Sequence, residues 1–387
     1  MDIQKIKASF QSHFGKDAYP YIFFSPGRIN LIGEHTDYNL GYVCPAAIDK
    51  GIYVAISPNG TDTVNLFAMD QKDEPAVYSF DIRSGQLPAL RWAKYIYGAT
   101  METVGNGVNV KGYDALITGD LPDGAGLSSS AALVCAFLFA LDSLFGTGNT
   151  DRFTLARMGQ AVEHKYLGLK CGIMDQFASL HGKKDNLILL DCRSLEYDYI
   201  PINTKGFRLV MLNTCVKHAL GTEYNERRQS CENGVAALKK VYPAIESLRD
   251  ATVEQIDSVK DSLSETDYRR SKYVIQEDNR VLETRSALNE GNMQQLGDIL
   301  YAGHDGESKW FEISCAESDF LVQIAKECGV TGARQMGGGF GGCVINLVKE
   351  ELYDNFIKTA QKLFADRFGH QILVYPISVG QGTCRLA

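Results

Sequence analysis

The chain has 387 residues, 45% of them hydrophobic and 22% charged, with a formal net charge of -8. A single core seldom grows past about 250–300 residues, so two lobes with a cleft between them are expected, and the composition excludes a disordered chain. The acidic balance excludes nucleic acid or an anionic membrane surface as the main partner, because both need a positive field.

From the amino end, Met1-Asp-Ile-Gln-Lys-Ile-Lys7 has no apolar signal-peptide core, and no run of about 18 apolar residues occurs anywhere. The ten cysteines stand singly, without a Cys-x-x-Cys pair. Reduced thiols and a cytoplasmic location are therefore expected, with neither a disulfide framework nor a zinc site. β-Branched and aromatic residues predict strands over 21–25, 48–57, 64–68 and 77–82, the second closing on the turn Pro58-Asn-Gly60. A helix follows at 92–104, a strand at 112–118, and a helix at 128–145 begun by serine caps and stopped at Gly146. Its run 131–141 is the longest apolar one and reads as buried. Helices at 153–167 and 174–181 and a strand at 187–191 complete the first lobe, taken as residues 1–203. In the second lobe, 204–387, a strand at 207–213 leads into a largely helical region, 223–328. A glycine-rich loop, a strand at 343–348, a helix at 350–368 and a strand at 371–378 follow, giving an α+β reading.

Two segments carry chemistry. Pro26-Gly-Arg-Ile-Asn-Leu-Ile-Gly-Glu-His-Thr-Asp-Tyr38 sets Arg28, Glu34, His35 and Asp37 in one loop. This fork of donors and set of acceptors suits a neutral sugar held by its hydroxyls, and a merely structural loop would rarely bury so much charge. Leu121-Pro-Asp-Gly-Ala-Gly-Leu-Ser-Ser-Ser-Ala131 puts two glycines and three serines at a helix start. Glycines let backbone N–H groups crowd an anion, the helix terminus adds partial positive charge, and hydroxyls can donate to phosphate or ligate magnesium. The plainer reading is a serine-capped helix, but one serine would suffice for that. A Walker loop is absent, and Gly337-x-Gly339-x-x-Gly342 precedes a predicted strand instead of following one, which excludes a dinucleotide fingerprint. The glycine run is expected to close over phosphates as a flexible loop. Asp175, between Met174 and Phe177, reads from this segment alone as an ordinary first-turn helix residue more readily than as a functional one.

These segments, together with Cys171-Gly-Ile-Met-Asp-Gln176, Tyr224-Asn-Glu-Arg-Arg228 and Gly337-Gly-Gly-Phe-Gly-Gly-Cys343, resemble the successive motifs of the galactokinase family, within the wider GHMP small-molecule kinases. The resemblance implies a two-lobed fold with a left-handed β-α-β unit in the N-terminal lobe, a C-terminal α+β lobe and the active site between them. It implies ATP-dependent phosphorylation of the C1 hydroxyl of D-galactose, giving α-D-galactose 1-phosphate and ADP as the first committed step of galactose use. Arg28 and Asp175 would then face that hydroxyl, while Glu34, His35, Thr36, Asp37, Gly172 and Tyr224 would hold the sugar. Gly124, Ala125, Gly126, Leu127, Ser128, Ser129, Ser130 and Ala131 would wrap the ATP phosphates, and Ser130 and Glu163 would ligate Mg2+. Trp92 would lie beside adenine, although a core aromatic fits the same position. Leu40 stands where many members have glycine, and Gln335-Met336 where Met-Thr is frequent. Related kinases of N-acetylgalactosamine, galacturonate or L-arabinose, and a non-catalytic sensor of galactose and ATP, share the family pattern. The oligomeric state, monomer included, is not written in the sequence.

Overall fold

The computed structural model describes residues 1–15, 19–71, 75–122, 125–216 and 221–387. Helix α1 (Ile3–Phe14) comes first and lay outside the sequence expectation. Asp2 caps it by accepting from Gln4 N, and it buries Ile6 and Phe10, four residues apart on one face. Then come β1 (Tyr21–Asn30), the short β2 (Tyr42–Val43), β3 (Pro45–Pro58), β4 (Thr63–Ala68) and β5 (Val77–Asp81). After these stand α2 (Arg91–Gly105), β6 (Tyr113–Gly119), α3 (Ser129–Phe145), α4 (Arg152–Leu167), α5 (Met174–His181), β7 (Asn186–Asp191) and β8 (Tyr197–Pro201).

The remainder runs β9 (Phe207–Asn213), α6 (Gly221–Val241), α7 (Val253–Ser258), α8 (Glu265–Asn289), α9 (Met293–Gly306), α10 (Ala316–Glu327), β10 (Gly332–Gln335), β11 (Cys343–Lys349), α11 (Glu350–Phe368), β12 (Leu373–Ile377) and β13 (Cys384–Arg385). Strands β2, β8, β10 and β13 were not anticipated, and each has five residues or fewer. So short a segment shows little periodicity, and sheet neighbours decide it.

Among the described residues the first sheet has the order β13-β1-β3-β6-β4-β5. Within it β4 and β6 run parallel, with α2 in their connection, and the other pairings are antiparallel. Sheet β10-β11-β9-β12 carries the second lobe, and a small sheet β2-β7-β8 lies between. Helix α3 is apolar nearly all round, which marks an interior helix; it packs on β1, β3, α2, α4 and α5.

A second core joins Ile29, Leu31 and Leu127 from the first half to Met211, Val281, Leu300 and Ile345 from the second. The lobes therefore share packed side chains, and the site loops emerge from that seam. β13 pairs with β1, and Ile48 bridges Val379, so the carboxyl-terminal tail, counted by sequence with the second lobe, is attached to the first sheet.

Candidate active site

β1 carries Arg28 toward α5 through a register shift between Pro26 and Arg28, the kind of irregularity that re-aims a side chain. Gly27 makes the approach possible, since a Cβ there would lie 2.5 Å from Leu121 Cδ2 and 2.7 Å from Leu127 O. Arg28 N donates to Leu127 O at 3.2 Å and Arg28 Nη1 to Gly126 O at 2.5 Å. Its Nε donates to Asp175 Oδ1 at 2.8 Å, with Arg28 5% and Asp175 33% exposed. Arg28 and Asp175, 147 residues apart in sequence, are thus in direct contact. Ser128 Oγ donates to Asp175 Oδ2 at 2.5 Å, so both carboxylate oxygens are oriented while the group still meets solvent.

That bond corrects the expectation of a serine-capped helix. Ser128 has φ 57°, in the left-handed region, and makes no side-chain cap to α3; its hydroxyl serves Asp175 instead. The first-turn N–H groups of α3, which have no intrahelical partner, therefore receive no cap from Ser128 and can face an anion. Ala125 and Leu127 are buried, Gly126 and Ser129 are exposed, and Ala131 is buried behind the turn. Gly124 lies outside the described residues.

At the start of α3, the Ser130 hydroxyl acts on Glu163 of α4, which is 4% exposed. Burial pushes the Glu163 carboxyl up to about 7; Asp175 adds to the rise, while Ser130 and Arg91 oppose it. Such a carboxylate would gain from a cation. No cluster of three metal-ligating side chains occurs among the described residues. One hydroxyl and one carboxylate nevertheless fit magnesium, which takes few protein ligands and completes its shell with phosphate oxygens and water. Trp92, in the first turn of α2, packs partly against the first-lobe core, yet its buried Nε1 has no hydrogen-bond partner among the described residues.

The opposite wall is the loop after β1. Asp37 faces Gly172, where a Cβ would sit 1.8 Å from Asp37 Oδ2, so only glycine fits. Burial raises the Asp37 carboxyl to about 6, Asp175 adding to it and Arg28 opposing it. His35, at φ 63°, places Nδ1 2.7 Å from Tyr38 Oη and its ring 5.1 Å from that of Tyr224. Burial lowers the His35 pKa to about 3, so the imidazole is neutral. Burial also raises the Tyr224 hydroxyl pKa well above its usual value, with Asp37, Cys171 and Asp175 adding to the rise.

Two expected sugar contacts have other partners. Thr36 is fully buried and its hydroxyl lies 2.9 Å from Gly33 O and 2.6 Å from Tyr42 O, so its side chain braces the loop. Glu34 is 1% exposed and faces Arg334 as an ion pair, while its Oε1 accepts from Gly337 N at 3.1 Å.

Nor is the glycine-rich loop free-hanging. Besides the bond to Glu34, Phe340 N donates to Ile313 O at 2.5 Å and Gly342 O accepts from Thr214 N at 2.9 Å. Gly337 lies against the turn before α3, where a Cβ would stand 3.4 Å from Gly126 O. Met336 uses Sδ to accept from Asn30 N at 3.3 Å.

Sequence reading missed Arg334 and Glu277, both fully buried beside residues 33 and 34. A signal existed for Glu277, since Tyr273, Glu277 and Val281 recur every four residues on the buried face of α8. For Arg334 it was a cation inside the strand-like Gly332–Gln335 segment.

The galactokinase galactose-binding signature matches residues 8–58, the N-terminal domain of GHMP kinases 93–183 and their C-terminal domain 284–365. A galactokinase of Clostridium perfringens is 37% identical over the full length of both chains. Another, from Thermotoga neapolitana, is 36% identical over 94% of this chain and 99% of its own. The solved Lactococcus lactis galactokinase complexed with galactose superposes with a TM-score of 0.94 at 32% identity, covering 99% of this chain and all of that one. Methanococcus jannaschii mevalonate kinase shares the fold, with a TM-score of 0.67 at 18% identity.

Proposed function

The chain belongs to the galactokinase family of GHMP kinases, and we propose that it performs that family's reaction through the Arg28–Asp175 pair, transferring the γ-phosphoryl group of ATP to the C1 hydroxyl of D-galactose. The products are α-D-galactose 1-phosphate and ADP. The observation that carries this reading is the pair itself, with Arg28 Nε 2.8 Å from Asp175 Oδ1 and Arg28 Nη1 on the carbonyl of the phosphate turn. One guanidinium thereby touches both the carboxylate meant for the sugar and the loop meant for the phosphates.

Asp175 Oδ1 and Oδ2 each already accept one hydrogen bond, which fixes the carboxylate plane. A carboxylate has about four lone-pair directions, so the remaining ones can take the C1 hydroxyl and receive its proton as the new O–P bond forms. Phosphoryl transfer is generally loose, with little nucleophile deprotonation early on, so placing the oxygen in line is the larger part of the work. Arg28 offsets negative charge on the transferring group. The uncapped N–H groups at the start of α3 hold the phosphates, and Ser130 and Glu163 would hold Mg2+. When bound, the ion neutralises β- and γ-phosphate charge. Asp37, His35 and Tyr224 hold the remaining sugar hydroxyls, Glu34 borders the pocket through the glycine-rich loop, and Trp92 Nε1 is available at the nucleotide end.

Ten free cysteines suit a reducing cytoplasm, and no helix among the described residues is long and apolar enough to cross a membrane. The test is an ADP-release assay with ATP, Mg2+ and four sugars: D-galactose, N-acetylgalactosamine, D-galacturonate and L-arabinose. Highest kcat/KM with galactose, and the α-1-phosphate as product by NMR, are the expected results. A better alternative sugar would overturn the specificity, and no turnover with any would overturn the enzyme reading.

A further inference from the structure

Arg334 is among the largest fully buried side chains of the protein, and it lies outside the reaction path described above. A guanidinium without solvent needs close partners, and several kcal/mol are commonly lost when one is removed. Its Nη1 donates to Leu31 O at 3.1 Å, and its Nη2 to Glu307 Oε1, just past α9, at 2.5 Å. The same Nη2 meets Glu34 as an ion pair and stands 3.6 Å from Glu277 Oε1 on α8.

The partners are tied in turn to the sugar loop. Glu277 Oε1 accepts from Gly33 N at 2.9 Å and from Glu34 N at 3.4 Å, and Tyr273 Oη donates to Glu34 O at 3.4 Å. Arg280 Nε holds Glu277 Oε2 at 2.7 Å, and His304 stands 3.6 Å from Glu307 and 3.1 Å from Asp319. On its free side, Glu34 Oε1 receives Gly337 N, the first amide of the glycine-rich loop.

We propose that Arg334 is a positioning residue which, through Glu34, fixes the sugar loop and the glycine-rich loop in one common geometry, so that it governs the fit of both sugar and nucleotide. This rests on the reading of residues 33–37 as sugar-binding and of the glycine-rich loop as bordering the phosphates. A core ion pair with a purely structural part would have no reason to converge on backbone atoms of one loop and, one carboxylate away, on the first amide of the other. Three carboxylates surround Arg334, and a planar fork can face several acceptors at once where an ammonium is a single point charge. Burial, with Glu307 and Glu277 adding and Arg334 opposing, raises the Glu34 carboxyl to about 8.

The test compares Arg334→Lys with Glu307→Gln, which removes the anchor on the side away from both loops. Steady-state kinetics with the sugar and with ATP are measured on protein whose circular dichroism and melting show it folded. Arg334→Lys should raise KM for sugar and for ATP together, by at least tenfold each, with a smaller change in kcat. Glu307→Gln should move both in the same direction by about threefold. A structural part alone would lower the melting temperature and the active fraction while leaving both KM values within twofold in folded protein, and that result overturns the proposal. Should Arg334→Lys fail to fold, Glu307→Gln decides alone. The sugar used is whichever the wild-type protein phosphorylates best, so a wrong sugar identity shows in the wild type and a wrong role for Arg334 only in the variants.

Discussion

Asp175→Asn keeps the shape of the side chain and removes its charge. Arg28 Nε is an obligatory donor, so the amide oxygen should stay at the 2.8 Å contact and the NH2 should turn to Ser128, whose hydroxyl can rotate to accept. The side chain is 33% exposed, so solvent screens the lost ion pair and the stability cost should be about 1 kcal/mol. The melting temperature should therefore stay within about 3 °C of wild type. The reaction loses much more, because the oxygen that receives the C1 proton and orients the hydroxyl is replaced or committed to Arg28. A drop of three or more powers of ten in kcat, about 4 kcal/mol of barrier, is expected, with the galactose Kd within about threefold of wild type. A coupled ADP assay measures the first and calorimetric titration the second. A folded variant that binds galactose and keeps more than about a tenth of wild-type kcat would refute the assignment of Asp175.

Gly172→Ala forces a methyl group into Asp37; it should raise the galactose KM at least about tenfold, roughly 1.4 kcal/mol, with a smaller effect on the ATP KM. Leu40 holds φ 59°, in the left-handed region that favours glycine, and it is 38% exposed. Relief of about 1–2 kcal/mol of strain against about 0.5–1 kcal/mol of added chain freedom predicts that Leu40→Gly stabilises by about 0.5–1 kcal/mol in chemical denaturation. Glu163 has its carboxyl raised from 4.5 to about 7. The stability it contributes is complete below about pH 4.5 and is lost as pH rises through about 7. Without nucleotide or Mg2+, the wild-type melting temperature should fall more steeply over about pH 5–8 than that of Glu163→Gln, and equal slopes would refute the placement of Glu163.

Local chemistry made much of this protein legible. Alternation and helix periodicity placed β9 and α11 at their observed bounds, because an exposed helix or a buried strand declares itself through which residues must leave water. The crowd of charge in residues 28–37 announced a site, since such groups are costly to bury without purpose. Tertiary structure alone decided how the hydroxyls and carboxylates were shared. Ser128 could have capped its helix, but the approach of α5 gave its proton to Asp175. Thr36 spends its hydroxyl within its own loop, on Gly33 O and Tyr42 O, whereas Glu34 meets Arg334, a cation that only the packing of a segment far along the chain brings to it. A pattern along the chain records what each residue can donate or accept; which offer is taken depends on distances that exist only after the lobes have packed around a common core.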